Sequence, residues 1–179
     1  MMFFKVINQV ALDAYNKLES DRLELRKNAQ LFADEYEADP VILQDSDHIW
    51  FCGIKFKDNS KVNREIWTKP ERQYGHSWIR TKPLKKSLQI EFDAEKSKWD
   101  ELYSKYFSQV KRVDKNSFYS TLGLDGSSFF FGSFKCFEYQ GAFYIETSID
   151  LKVGVEILGS EYVEAERAKN ALKYKEPQQ

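Results

Sequence analysis

The sequence predicts an α+β fold: an antiparallel or mixed sheet of two hairpins plus a further strand, with a long N-terminal helix and shorter helices packed on one face. Three observations predict it. Apolar residues recur at steps of three and four from Ala11 to Tyr36. Two stretches rich in aromatic and β-branched residues flank turn-forming sequences. Helical and strand-like patterns come in blocks, without the strict alternation that builds parallel sheets.

The first element is the apolar run Met2–Ile7, a short strand or a strap over the core. Asn8 is a good N-cap for a helix, because its side-chain oxygen can accept from an early helical N–H. Ala11, Tyr15, Leu18, Leu25, Ala29, Phe32 and Tyr36 then form one stripe, with Arg22 in one slot. This spacing predicts a helix to about Glu37 with one buried face, ended by Asp39-Pro40. The run Ile49–Phe56 reads as a strand, Asp58-Asn59-Ser60 as a turn, and 61–68 as the return strand. Residues 69–86 hold two prolines and one glycine without a clear period, and read as a long basic loop.

Asp93 can cap a helix to about Val110, with Trp99, Leu102, Tyr103, Tyr106 and Val110 on one face. Asn116 can cap a short helix stopping at Gly123. A second hairpin is expected over 128–149, around Gln140-Gly141. Residues 151–158 supply the further strand, and Ser160 caps a last helix. The 179 residues are read as one domain over 1–173, with 174–179 as a frayed tail.

The formal net charge is −1, but it is unevenly spread. Residues 61–86 carry eight Lys or Arg against two acids, and both flanks are acidic. Lys69, Arg72, Arg80, Lys82, Lys85 and Lys86 are interleaved with Tyr74, His76 and Trp78. Cations of this kind neutralise phosphates, and aromatic rings stack on bases. The same residue types also anchor protein interfaces. Arg72, Tyr74, His76, Trp78, Arg80, Lys82 and Lys85 are therefore the candidate binding residues. The simpler reading is a solvated loop whose Trp78 tucks into the core. The weak overall charge and the acidic flanks favour a protein partner over nucleic acid.

No phosphate loop, dinucleotide fingerprint or CxxC pair is present, so no cofactor or metal is expected and the chain reads as non-enzymatic. Gly75-His76-Ser77-Trp78-Ile79 starts like a nucleophile elbow but lacks its closing glycine. His76, among cations that depress its basicity, is the one candidate general base, for a hydrolase or transferase reading. Asp45-Ser46-Asp47-His48 offers hard oxygens and an imidazole to a divalent metal, or simply a turn before a strand. Cys52 and Cys136 sit in apolar strand-like runs and are expected to be reduced and buried. The N-terminus lacks a cationic, long-apolar leader pattern, and no apolar run is long enough to span a bilayer. A cytoplasmic protein without a membrane partner is expected, with homo-oligomerisation open.

The segments FFKVINQVALDAYNKL, FADEYEAD and HIWFCGIKF resemble a family of small proteins of unknown function encoded by phages and prophages. The resemblance covers residues 3–57. It implies an opening strand, a helix and a tryptophan-containing strand. It carries no site residues. It implies a phage accessory protein that binds and modulates a host macromolecule, such as a component of host defence.

Overall fold

A computed structural model describes residues 1–44, 48–70, 77–83, 85–124, 134–151, 155–157 and 159–173. The fold is α+β with antiparallel sheets and a long N-terminal helix. The chain gathers into two compact units, residues 1–18 with 115–179, and residues 19–114.

In the first unit, β1 (Met2–Val6) is an inner strand. It pairs antiparallel with β8 (Ala142–Thr147) on one side and β9 (Val155–Ile157) on the other. β7 (Phe134–Tyr139) extends the sheet beyond β8, giving the order β7-β8-β1-β9. The β7–β8 turn is Gln140-Gly141, both at positive φ (49° and 74°), as a two-residue hairpin turn requires. Successive strand residues point to opposite faces, and both faces of this sheet are used. Phe4, Val6, Phe143 and Ile145 are buried on one face. There Tyr15, in the first half of α1 (Gln9–Asp34), lies 3.8 Å from Phe143 between ring centroids. Phe118, in α3 (Asn116–Thr121), lies 5.5 Å from the same ring. The other face carries Phe3, Phe137 and Tyr144, which pack on Tyr162 of α4 (Glu161–Lys173). The expectation of helices on a single face is therefore corrected: α4 packs on the face opposite to the one that Tyr15 and Phe118 cover.

In the second unit, β2 (Ala38–Gln44), β3 (His48–Phe56) and β6 (Arg112–Asp114) form an antiparallel sheet in that order. The latter part of α1 and α2 (Gln89–Phe107) supply its aromatic core. Phe32 is fully buried, with centroid distances of 4.6 Å to Trp99, 5.1 Å to Phe51 and 5.7 Å to Phe107. Phe51 stacks on Phe107 at 4.7 Å. Leu25 and Ala29 extend the same buried stripe, as their spacing predicts.

Several expected boundaries move. α1 stops at Asp34, and Glu37 takes a positive φ of 50° that ends the helical turn. Asp39-Pro40 lies inside strand β2, which is an edge strand, where a missing N–H can face away from the ladder. β3 accordingly pairs with the chain before it, and residues 61–68 are not its return strand. Asp58-Asn59-Ser60 does turn the chain: the Asp58 carboxylate accepts from the Ser60 N–H at 2.9 Å. α2 starts at Gln89 rather than after Asp93, and α3 includes Asn116 as its first residue. Gly123, at φ 75°, closes α3, with the Leu124 N–H donating to the Tyr119 carbonyl.

Candidate interaction surface

The basic segment lies within the second unit, where residues 67–68 and 79–80 form a two-stranded strap. β4 (Trp67–Thr68) pairs antiparallel with β5 (Ile79–Arg80), and the Thr68 hydroxyl donates to the Ile79 carbonyl at 2.9 Å. Just before β5, the Trp78 N–H donates to the Ile54 carbonyl of β3 at 2.6 Å. This close approach is possible because residue 53 is glycine at φ 151°. A Cβ there would lie 2.9 Å from Ile79 Cγ1 and 3.3 Å from the Trp78 carbonyl oxygen. A bulge lies beside it, where the β2–β3 register shifts between Val41 and Ile42.

Two of the expected binding residues therefore belong to the scaffold. Trp78 is 4% exposed, and the Arg64 and Lys69 cations lie 5.8 and 5.1 Å from the centre of its ring system. The Arg80 side chain is 5% exposed. Its guanidinium lies 5.2 Å from the Trp99 ring centroid, donates to the Glu95 carbonyl, and approaches Asp100 at 3.5 Å. Burial lowers the Arg80 pKa from its ordinary value, while Asp100 opposes that shift. Burial also raises the Tyr36 hydroxyl well above the usual phenol range, with Glu95 adding to the effect. The Trp78 ring and the Arg80 guanidinium are thus both turned inward.

The exposed cations divide by their neighbours. Lys85 is ion-paired with Glu65, and Lys61 with Glu37 at 3.4 Å. Lys82 and Lys86 are exposed and have no acidic partner among the described residues. Arg72, Tyr74 and His76, and with them the general-base reading of His76, lie outside the described residues. Asp45, Ser46 and Asp47 do too. His48 sits on β3 opposite Asp114 of β6, 3.5 Å from its carboxylate. Among the described residues, no group of three or more His, Cys, Asp or Glu is gathered to hold a metal ion. None of the described helices is long and apolar enough to cross a membrane. Cys52 and Cys136 lie outside any disulfide and are half-buried, less covered than their apolar context predicts.

A second feature of this unit was not visible in the sequence. Trp50, Phe51, Tyr103, Lys111 and Arg112 line a cavity of about 340 Å³. Its residues come from β3, α2, the α2–β6 connection and the start of β6, so only the three-dimensional pairing brings them together.

The sequence model of the family Bacteriophage Mu gene product 12 matches residues 1–176. The chain belongs to this phage family. It is 26% identical over 172 residues to the uncharacterized protein gp12 of Escherichia phage Mu, an alignment covering 93% of this chain and 95% of that protein. No solved structure matches. The phage resemblance read over residues 3–57 thus extends across nearly the whole of this phage protein, including the strap and the cavity.

Proposed function

We propose that this phage protein is a non-enzymatic binding protein that engages a host macromolecule, foremost a host protein with an acidic surface, through the exposed cations of the 61–86 region. The carrying observation is the division of labour within that region. Trp67, Trp78 and Arg80 are spent on the interior and fix the strap on the body. Lys82 and Lys86 are left outward without acidic partners among the described residues, while Arg64 and Lys69 flank the Trp78 ring. Exposed cations steer encounter with an acidic surface. Components of host defence are one class of protein that a phage accessory protein would meet in this way.

The test is capture from bacterial host lysate with the full chain as bait, with and without nuclease, beside a Lys69→Glu/Lys82→Glu/Lys86→Glu variant. A discrete protein retained after nuclease and lost on charge reversal is expected. Capture that disappears with nuclease moves the reading to nucleic acid. Capture equal for both baits removes the basic surface from the account.

A further inference from the structure

The cavity between β3, α2 and β6 combines three aromatic walls with two cations. Trp50 and Tyr103 are half-buried, Phe51 is buried against Phe107, and Lys111 and Arg112 are exposed. The Lys111 ammonium lies 6.0 Å from the Tyr103 ring centroid, so cation and ring share one mouth. Neither Lys111 nor Arg112 has an acidic partner among the described residues, and Asp114, two positions on, faces His48.

The location explains why a cavity forms here. β6 pairs with β3 only at His48, Ile49 and Trp50, and the next contact on that edge is the bridge from Ile54 to Trp78. Among the described residues, no strand covers Phe51, Cys52 and Gly53 on that side. Lys111, between α2 and β6, and Arg112, the first residue of β6, line the cavity beside this gap. The end of α2 contributes partial negative charge from its last carbonyls, about half a charge in all, which two full cations outweigh.

We propose that this cavity is a ligand site for a planar ring bearing a phosphate, of the nucleoside monophosphate class. The ring packs on Tyr103 at the open edge of β3, where Trp50 and its register partner Arg112 form the rim on the strand's other side, and the phosphate meets Lys111 and Arg112. Three features select this class. A volume of about 340 Å³ matches the lower range of small-molecule sites. Half-buried indole and phenol faces suit a flat π system. Two adjacent cations suit a doubly charged phosphate better than a single carboxylate, and an arginine can grip two of its oxygens. The site shares no residue with the basic strap, so either reading can fail without the other.

The test is titration of the purified full chain with adenosine and guanosine monophosphate, by calorimetry and tryptophan fluorescence. The control ligands are adenosine, inorganic phosphate and N-acetylphenylalanine. Lys111→Ala/Arg112→Ala is the main variant, since both side chains are exposed and their loss leaves the core intact. Trp50→Phe is the second, and it keeps an aromatic wall while removing the indole. Saturable binding of at least one monophosphate is expected, weakened about tenfold or more in the double variant. Adenosine and phosphate alone should each bind more weakly than the monophosphate. Trp50→Phe should lose the fluorescence response while retaining part of the affinity. Absence of saturation at millimolar nucleotide overturns the proposal. So does equal affinity in the double variant, and so does tighter binding of N-acetylphenylalanine, which would make the cavity a seat for an acidic aromatic peptide segment.

Discussion

Arg80→Ala separates a structural cation from a binding one. The Arg80 side chain is 5% exposed, lies over the Trp99 ring and donates to the Glu95 carbonyl, with Asp100 at 3.5 Å. Truncation removes a charge-assisted hydrogen bond, for which about 1.5–3 kcal/mol is typical. It also removes a largely desolvated cation–π contact of about 1–2 kcal/mol and the packing of the side-chain stem. Against this, the desolvation of the guanidinium is relieved. Asp100 is half exposed, so its charge is not stranded in the interior. The net expectation is a loss of about 2–4 kcal/mol in stability. Arg80→Lys should recover only part of it, because an ammonium cannot lie flat on the indole while reaching both acceptors. Urea denaturation followed by tryptophan fluorescence measures both variants. The same assay on Lys82→Ala and Lys86→Ala should show changes within about 0.5 kcal/mol. An Arg80→Ala protein as stable as the parent would refute the clamp and return Arg80 to the binding surface.

Leu25 is fully buried, and Leu25→Ala should cost about 2–5 kcal/mol; a chemical denaturation midpoint like the parent's would show that the α1 stripe is not core. Gly53→Ala puts a Cβ 2.9 Å from Ile79 Cγ1 on a backbone at φ 151°, and should cost about 1–3 kcal/mol and speed proteolysis of the strap. Unchanged proteolysis would mean that the strap does not need the close approach. Burial raises the Cys52 thiol pKa despite an opposing hydrogen bond from Trp50, so less thiolate is present at neutral pH than at a free cysteine. Its alkylation without denaturant should be slower than that of unfolded protein and should accelerate on raising the pH; rapid labelling at neutral pH would contradict this.

What the sequence revealed depended on whether the signal was local. The α1 stripe, the Gln140-Gly141 turn and the α3 stop at Gly123 are each set by a few neighbouring residues, and each appears in the structure. Pro40 misled because a proline in an apolar run looks like a helix stop, whereas an edge strand tolerates it. β6 was missed because three residues, only one of them buried, carry no periodicity. The basic segment showed its charge but not the fate of Trp78 and Arg80. Composition alone cannot tell an aromatic or arginine that anchors a strap from one that meets a partner. The cavity was illegible for the related reason that Trp50 is distant in sequence from Tyr103 and Arg112, and only the Trp50–Arg112 register brings the strand residues together.

In the proposed function the exposed cations of residues 61–86 bind, and the buried Trp78 and Arg80 support the segment. The most direct test measures affinity and stability together on the Lys69→Glu/Lys82→Glu/Lys86→Glu variant, using the protein captured from host lysate. An unfolding midpoint close to the parent's is expected, with an affinity lower by about tenfold or more and a parent affinity that falls as salt is raised. An affinity equal to the parent's, or a loss fully explained by unfolding, would contradict it.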